Sequence, residues 1–165
     1  MTGRPTVAAR RNTIRRARPE DAAGIRKAHV ASIRKLCRSH YSDGQIAAWT
    51  GGVRASYYRS AILDGRPVYV AVVEGRVVAL SELDGDQIRA VYVRAKYAGR
   101  GLGTQLLDAV ERAARARSLH RVWLDSTLNA VPFYRAHGYR RRGRQRHRLA
   151  SGAIMQSVRM EKELR

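Results

Sequence analysis

Three glycines and an arginine stand close together in the stretch AGRGLGTQLLDAV. Gly99, Gly101 and Gly103 surround Arg100, and an apolar helical pattern follows directly. The first turn of a helix leaves backbone N–H groups without partners and carries the positive end of the helix dipole. Glycines let such a backbone approach an anion closely. The stretch therefore predicts a seat for a phosphate or pyrophosphate, with a glycine turn that binds nothing as the alternative.

Two well-known phosphate-binding motifs do not fit this stretch. A P-loop requires a lysine directly before its final serine or threonine, whereas Gly103 directly precedes Thr104. A dinucleotide-binding turn belongs to a βαβ unit and is followed by an acidic residue about 20 residues on, but here hairpin patterns precede the turn. The predicted anion-binding site therefore belongs to a fold other than those of P-loop or dinucleotide-binding proteins.

The elements around the glycines follow from periodicity and turn signals. After a short strand at TIRRA, helical spacing predicts three helices, the first after Pro19 and the others at SDGQIAAW and ASYYRSAIL. Two β-rich runs in residues 67–83 are joined by a turn at residues 74–75, and a second turn at residues 84–86 leads into the strand before the glycines. A central helix, a strand at RVWLDS, a short helix ending at Gly138 and two final strands follow. The pattern predicts a mixed α/β (α+β) fold.

Length and composition suit one domain. The chain has 165 residues, of which 44% are hydrophobic, so we expect a single domain over residues 12–165 after a basic, frayed arm over residues 1–11. No apolar run approaches the roughly 20 residues of a membrane helix, and the first residues do not look like a secretory signal. We therefore expect a cytoplasmic protein without a membrane partner. Cys37 is the only cysteine, so neither a disulfide framework nor a cysteine-based metal site is expected.

The net charge of +20 is unusual and raises the question of a nucleic-acid partner. Lys and Arg number 33 against 13 Asp and Glu. A basic surface attracts polyanions, but these arginines are spread along the chain. The densest run, Arg140–Arg148, lacks the interleaved aromatic residues that stack on single-stranded bases. We expect a solvated basic surface and keep a basic nucleic-acid-binding protein on the same fold as the alternative.

Two motifs, in order, resemble those of the GCN5-related N-acetyltransferase (GNAT) superfamily. AVYVRAKYAGRGLG is similar to the family's central Gln/Arg-x-x-Gly-x-Gly/Ala motif, and VPFYRAHGYR is similar to its downstream Phe-Tyr-x-x-x-Gly-Phe/Tyr motif. The resemblance extends over about residues 12–163. Two positions depart from the family pattern: Ala98 stands where the motif has Gln or Arg, and Thr127 stands where the family often has Asn.

The resemblance implies an acyl-CoA-dependent N-acyltransferase that moves an acetyl group from acetyl-CoA to an amine by direct attack. It also implies a mostly antiparallel sheet of about six to seven strands flanked by about four helices. That sheet is splayed between the strand before the glycines and the strand RVWLDS. The CoA pyrophosphate is expected on the glycine turn and the pantetheine arm beside the preceding strand. The predicted cofactor-binding residues are Val91, Tyr92, Val93, Gly99, Arg100, Gly101, Leu102, Gly103, Thr104, Thr127 and Asn129.

Acyl transfer requires two proton transfers, and each has a candidate residue. Tyr134 takes the family position of the general acid that protonates the departing thiolate, and its alternative role is that of a core aromatic. Glu82 is the candidate general base, because strand alternation places it on the same face as Val78 and Leu80. The alternatives for the base are Asp86, His40 and an ordered water.

The acceptor side is expected at the N-terminal helices. The predicted lining residues are His40, Tyr41, Tyr57 and Tyr58, whereas Trp49 is expected to be a core residue. Few carboxylates are available to hold a polycation, so a small-molecule amine or a protein N-terminus is the expected acceptor. A catalytically silent acyl-CoA sensor is a further alternative. We expect a monomer or homodimer.

Overall fold

A mixed sheet of seven strands forms the centre of residues 12–165, the part of the chain that the computed structural model describes. The strands are β1 (Asn12–Arg16), β2 (Val68–Val73), β3 (Arg76–Asp84), β4 (Gln87–Val93), β5 (Arg121–Ser126), β6 (Arg140–Arg148) and β7 (Ile154–Glu163). The α-helices are α1 (Ala22–Leu36), α2 (Asp43–Gly52), α3 (Ala55–Leu63), α4 (Leu102–Ala116) and α5 (Val131–Ala136). The predicted basic arm, residues 1–11, lies outside the described residues.

The strand order is β1-β2-β3-β4-β5-β7-β6, and the pairing is antiparallel except between β4 and β5. This confirms the predicted mixed, mostly antiparallel sheet of six to seven strands. The described part of the chain has five α-helices, whereas about four were expected. Ser42 caps the start of α2: its hydroxyl accepts a hydrogen bond from the Gln45 amide at 3.1 Å.

Helices cover both faces of the sheet. Ile25 of α1 and Tyr58 of α3 pack with Leu80 on one face. Leu102 and Leu106 of α4 pack on the opposite face, in a cluster that also contains Val78. The apolar stripe of α4 is therefore buried, as its spacing predicts.

The predicted alternation from Val78 to Glu82 is wrong at its first residue. The pairing between β2 and β3 shifts register where Ala71 faces Ala79 and Val72 faces Val77. The extra residue on β3 is Val78, and this bulge turns its side chain towards α4 rather than towards α1. From Leu80 onwards the alternation is regular, so Glu82 does lie on the α1 and α3 side.

The two central strands separate soon after they meet. The β4–β5 ladder consists of one parallel pair, Gln87 with Trp123, fixed by a 3.1 Å hydrogen bond from the Trp123 amide to the Asp86 carbonyl. The Trp123 indole also donates to the Asp86 carboxylate at 2.9 Å. Beyond this point the edge of β4 that faces β5 is unpaired. The predicted splay between the central strands is confirmed, and it opens a cleft.

Candidate active site

The cleft between the splayed strands has a volume of about 440 Å³. The unpaired edge of β4 forms one wall, the end of β5 and the start of α5 form the other, and the glycine turn closes one end. We call this cavity the donor cleft. Of the predicted cofactor-binding residues, its lining includes Val91, Tyr92, Val93, Gly99, Gly101, Gly103, Thr104, Thr127 and Asn129.

The glycine turn presents bare backbone amides to the donor cleft. Gly99 and Gly101 have φ angles of +72° and +82°, in the left-handed region that favours glycine, and Gly101 caps α4. Within the described chain, the amide N–H groups of residues 99–104 donate no hydrogen bond, and the first bonded amide is that of Gln105. A row of free donors at a helix start is the arrangement that binds a phosphate.

Glycine is required at position 103 for packing rather than for its backbone conformation. A Cβ atom there would lie 3.4 Å from two ring carbons of Phe133 in α5, so the absence of a side chain lets α5 pack against the start of α4. The neighbouring Thr104 hydroxyl lies 3.0 Å from Nε2 of His137. Nδ1 of the same imidazole donates to the Phe133 carbonyl at 2.7 Å. These contacts tie the glycine turn to the second motif.

Two predicted cofactor residues are absent from the lining. The Leu102 side chain is 2% exposed and packs in the core, so only its backbone amide is available to a ligand. Arg100 is exposed, and its guanidinium carbon lies 5.7 Å from the centre of the Tyr97 ring. Both of its neighbours, Gly99 and Gly101, line the donor cleft, and a phosphate contact by the Arg100 side chain stays a prediction.

Asn129 leaves a polar atom without a partner. It lies in a 3-10 turn, Leu128–Ala130, at the wall of the donor cleft. Its Oδ1 atom is buried and accepts no hydrogen bond from the described residues. An unpaired buried acceptor costs free energy unless a donor reaches it. A pantetheine arm carries amide N–H groups, so the free amides and this acceptor together fit a CoA molecule.

Tyr134 packs in the core and also lines the donor cleft. The residue is 6% exposed, and its ring packs edge-on against Phe133 and Tyr139. Its hydroxyl makes no hydrogen bond to a described residue. Burial raises the pKa of this phenol above its ordinary value, so the proton is held at neutral pH. The core role and the role of acid are therefore compatible in one side chain.

Cys37 also lines the donor cleft but is unsuited to nucleophilic attack. It is 3% exposed, and burial raises the pKa of its thiol to about 11. At neutral pH the thiol is therefore protonated, and the thiolate is the nucleophilic form. This state of Cys37 favours direct transfer over an acyl-cysteine intermediate.

A second cavity, of about 610 Å³, lies on the α1 and α3 side of β4. Arg89, Ala90 and Tyr92 line this cavity and the donor cleft as well, so the two spaces meet along β4. We call it the acceptor cavity. Its remaining lining comes from α1, α2, α3, Glu82 of β3 and the loop before β7.

A β-bulge lies where the two cavities meet. Glu82 pairs with Ala90 and Leu83 pairs with Ile88, so Arg89 is an extra residue on β4. A bulge leaves backbone groups unpaired and aims the strand differently on either side. The bulge therefore lies where the donor and acceptor spaces join, since Arg89 and Ala90 line both of them.

Glu82 is held at the wall of the acceptor cavity by two donors. Its side chain is 1% exposed, and Oε1 accepts a 2.7 Å hydrogen bond from the Tyr57 hydroxyl. Arg66 approaches the same oxygen at 3.3 Å. Burial and the bond to Glu82 raise the pKa of Tyr57 to about 12, so the phenol remains a donor. Among the described residues, side-chain hydrogen bonds to this carboxylate end on Oε1, which leaves Oε2 for a bound molecule.

Sequence reasoning missed His29. Its ring stacks on Tyr92 with centroids 4.0 Å apart, and Nδ1 shares a 2.8 Å hydrogen bond with the Tyr58 hydroxyl. Burial lowers the pKa of this imidazole to about 3, so it is neutral at physiological pH. Its Nε2 is buried without a partner in the described chain. His29 lies in the first predicted helix, and that assignment gave no sign of this cavity.

Four other candidates lie where their predicted roles can be judged. Tyr57 and Tyr58 line the acceptor cavity, and so does Trp49, which also packs on Tyr41 and Tyr92. The Tyr41 hydroxyl instead donates to the Gln156 carbonyl at 2.6 Å and accepts from the Leu128 amide at 3.0 Å, which gives it a structural position. His40 is exposed beside Ser39, and neither His40 nor Tyr41 lines either cavity.

Asp86 is likewise outside both cavities, since its carboxylate holds Trp123 at the closed end of the splay.

In residues 12–165, the His, Cys, Asp and Glu side chains form no group of three or more that could bind a metal ion. No helix in that part of the chain has the length and apolar character needed to cross a membrane.

Comparison with known proteins gives two kinds of match. A family profile described as an acetyltransferase (GNAT) domain matches residues 37–164. A solved structure of a GCN5-related N-acetyltransferase, also described as a class-II aminotransferase, from Rhodopseudomonas palustris is 32% identical, with a TM-score of 0.85, and the match covers 98% of this chain and 100% of that one. No curated protein matches the sequence significantly.

More distant structures share the fold. PaiA N-acetyltransferase from Thermoplasma acidophilum, solved with coenzyme A, is 17% identical with a TM-score of 0.69, and the match covers 93% of this chain and 99% of that one. YncA from Salmonella typhimurium, a putative acetyltransferase solved with acetyl-CoA, is 22% identical with a TM-score of 0.65, over 93% of this chain and 94% of that one.

Proposed function

The chain belongs to the GNAT family of N-acetyltransferases, and we propose that it transfers the acetyl group of acetyl-CoA to a primary amine bound in the acceptor cavity. The observation that carries the proposal is the junction of two cavities at the β4 bulge. One cavity has free amides and an unpaired acceptor suited to CoA, and the other holds a buried carboxylate. Acetyl-CoA supplies the thioester. Residues of this chain bind and orient the two substrates and transfer the protons.

Binding of the donor rests on backbone groups. The amides of residues 99–104 receive the pyrophosphate, and the unpaired edge of β4 at Val91, Tyr92 and Val93 receives the pantetheine amides. Thr127 and Asn129 contribute from the opposite wall, where Oδ1 of Asn129 accepts an N–H group. Main-chain groups freed by the bulge at Arg89 polarise the thioester oxygen.

Tyr134 is the proposed general acid. The amine nitrogen forms a bond to the thioester carbon, the carbon–sulfur bond breaks, and the sulfur takes the phenolic proton. Tyr134 keeps that proton until it is needed, because burial raises the pKa of the phenol. The absence of a competing hydrogen bond from the hydroxyl within the described chain supports this role.

Glu82 is the proposed general base. It lies on the acceptor side of the junction, opposite Ala90, and Tyr57 and Arg66 fix its Oε1. Its Oε2 then accepts a proton from the attacking amine. His29 is too weak a base for this step at neutral pH, because burial lowers the pKa of its imidazole to about 3.

The two alternative functions that the sequence analysis left open are less well supported. A nucleic-acid-binding protein needs neither a buried carboxylate nor an unpaired acceptor in a cleft. A silent acyl-CoA sensor needs no second cavity with a carboxylate at its wall. The expectations of a cytoplasmic protein and of a monomer or homodimer stay predictions.

The proposal is tested by donor binding and by turnover. Millimolar acetyl-CoA is expected to raise the melting temperature, because a ligand that binds only the folded state stabilises it by RT ln(1 + [L]/Kd). A panel of amines is then screened for release of the CoA thiol. A melting temperature that acetyl-CoA does not change would overturn the proposal, and a clear shift without turnover of any amine would identify a sensor instead.

A further inference from the structure

The acceptor cavity has an excess of positive charge at its mouth. Arg54 and Arg89 line the cavity, and Arg66 binds the carboxylate of Glu82 from beside it. The nearby carboxylates are Glu82 and Asp84. Two carboxylates therefore face three guanidinium groups, a balance that suits a ligand bringing a negative charge of its own.

The arginines are unequally satisfied. Arg66 lies 3.3 Å from Glu82 and 3.2 Å from Asp84, which accounts for its charge. Arg89 lies 3.8 Å from Asp84, beyond hydrogen-bond distance, and its side chain is 44% exposed. The Arg54 guanidinium donates to the carbonyl oxygens of Gly51 and Val53, which are neutral. Arg89 and Arg54 therefore keep donors and charge for a bound anion.

Arg89 is also close to the proposed base. Its guanidinium carbon lies 5.8 Å from the centre of the Tyr57 ring, and the hydroxyl of that same ring lies 2.7 Å from Glu82. As the extra residue of the bulge, Arg89 lines both cavities. A cation that near the base suits an anionic group on the carbon next to the amine, as in an α-amino acid.

The rest of the acceptor cavity is aromatic. Trp49, Tyr58 and Tyr92 line it, and the stacked ring of His29 is neutral. Such a lining suits an apolar or aromatic side chain. The volume of about 610 Å³ leaves room for a single amino acid beside the acetyl group.

We infer that the acceptor is a free α-amino acid with an apolar or aromatic side chain, its carboxylate on Arg89 and its amine at Glu82. This inference rests on the proposed function and names its acceptor. The products are the N-acetylamino acid and CoA, and the proton lost by the amine passes to Glu82. Arg54 adds to the positive potential at the mouth, and a peptide N-terminus, which has no α-carboxylate there, is disfavoured.

The test compares acceptors that differ only in the carboxylate. Phenylalanine, methionine and leucine are each assayed for CoA release against their amides, and phenylalanine also against 2-phenylethylamine and a tripeptide amide that begins with Phe. We expect kcat/KM at least about ten-fold higher for one or more free amino acids, because charge-assisted hydrogen bonds are stronger than neutral ones. Equal or better turnover of the amides, the amine or the peptide would overturn the inference.

Arg89→Gln sharpens the test. Whatever its effect on overall turnover, it should lower kcat/KM for the preferred amino acid about ten-fold or more relative to kcat/KM for the matched amide, because only the amino acid has the carboxylate. Arg59 is an exposed arginine of α3 outside both cavities. Arg59→Gln removes the same charge and should leave kcat/KM unchanged for both the amino acid and the amide. If Arg89→Gln does not fold, the comparison of substrates in the wild type still decides.

Failure of the inference and failure of the proposed function give different results. No turnover of any free amino acid, with a normal thermal shift by acetyl-CoA, would overturn the inference and leave donor binding intact. Loss of both turnover and thermal shift would overturn the proposed function itself.

Discussion

The donor cleft and the acceptor cavity share one strand but are built from different parts of the chain. The donor cleft offers main-chain groups: free amides at the glycine turn and the unpaired edge of β4. The acceptor cavity offers side chains from separate elements, such as His29 of α1, Tyr57 of α3 and Glu82 of β3. A site made of backbone leaves a glycine signature in sequence, whereas a site made of side chains from distant segments leaves none.

This difference means that the two cavities should respond separately to substitution. A side-chain change at the acceptor cavity should alter turnover and spare donor binding. A backbone change at the glycine turn should do the reverse. Substitutions at Glu82, Tyr134 and Gly101 test that separation, and two smaller effects are expected at His29 and on the surface outside both cavities.

Glu82→Gln keeps the shape of the side chain and its bond from Tyr57 but removes the carboxylate that we propose as the acceptor of the amine proton. We expect kcat/KM for the amine to fall about 10²–10⁴-fold, the usual worth of general base assistance. The thermal shift by acetyl-CoA should stay within error. The measurement is the initial rate of CoA release against amine concentration at saturating acetyl-CoA.

Glu111→Gln is the matched control for that change. Glu111 is a buried carboxylate in α4, bound by Lys162 at 2.9 Å, and it lines neither cavity. Its replacement should lower stability, because Lys162 loses its partner, and should leave kcat/KM unchanged. If Glu82→Gln instead retains full activity, water carries the proton and Glu82 is structural.

Tyr134→Phe keeps the ring and its packing but removes the hydroxyl that we propose as the proton donor to the leaving thiolate. We expect kcat to fall by about 10²-fold with acetyl-CoA binding changed by no more than a few-fold. Tyr139→Phe is the control, because Tyr139 is equally buried and its hydroxyl donates to Glu111 rather than into the donor cleft. Wild-type turnover by Tyr134→Phe would show that the thiolate leaves without an acid.

Gly101→Val tests the backbone-built cleft. Gly101 has a φ of +82°, which a β-branched residue adopts only with strain, so the amides around it should move. We expect the Kd for acetyl-CoA to rise about ten-fold or more. Gly143→Val, at a glycine without positive φ in β6 where a Cβ meets nothing within 4 Å, should leave the Kd unchanged. Calorimetric titration with acetyl-CoA measures both.

His29→Gln tests the acceptor side by its pH dependence. Burial lowers the pKa of His29 to about 3, so below pH 6.5 the unfolded chain binds a proton that the folded chain refuses. Stability is therefore lost as the pH falls from about 6.5 towards 3, and the cost is about 2 kcal/mol by pH 5.

Gln has no such group and can still bond the Tyr58 hydroxyl. Between pH 7 and pH 5, the melting temperature of the variant, followed by circular dichroism, should fall by less than that of the wild type. An identical loss in both proteins would show that His29 is protonated in the folded state.

The smallest effect is expected at the arginines of β6. The strand is at the edge of the sheet, and its arginines at positions 140, 141, 142, 144 and 146 are exposed. Arg142 pairs with Glu161 at 2.9 Å, and exposed pairs of this kind contribute about 0–1 kcal/mol. Replacement of all five by Gln should leave kcat/KM within two-fold. Tight binding of RNA or DNA by the wild type, with log K falling linearly in log salt, would contradict this expectation.

Much of the fold could be predicted from local signals. The hairpin turns, the capped start of α2 and the apolar stripe of α4 are each encoded within a few residues. The bulges could not be predicted, because each arises from a mismatch between two paired strands. The one at Val78 reversed the expected direction of that side chain, and the one at Arg89 brought an arginine to the junction of the cavities.

The donor cleft was likewise more predictable than the acceptor cavity. Gly99, Gly101 and Gly103 could be recognised as backbone features, and the structure brings them to one cleft with Tyr134 and Asn129. The aromatic cluster of α2 and α3 was recognised only as a set, and it divided in the structure. Tyr57 and Tyr58 turned to the cavity, whereas the hydroxyl of Tyr41 turned to the backbone.

The sequence by itself determined the glycine turn before α4, the order of the elements and the two motifs that lead to the GNAT family. These depend on backbone conformation and periodicity, which neighbouring residues set. Only the tertiary structure decided that Arg89 stands beside Glu82, that His29 is buried at the acceptor wall and that His40 is not there. Those positions depend on strand register and helix packing, through which residues far apart in the chain come within a few ångströms of one another.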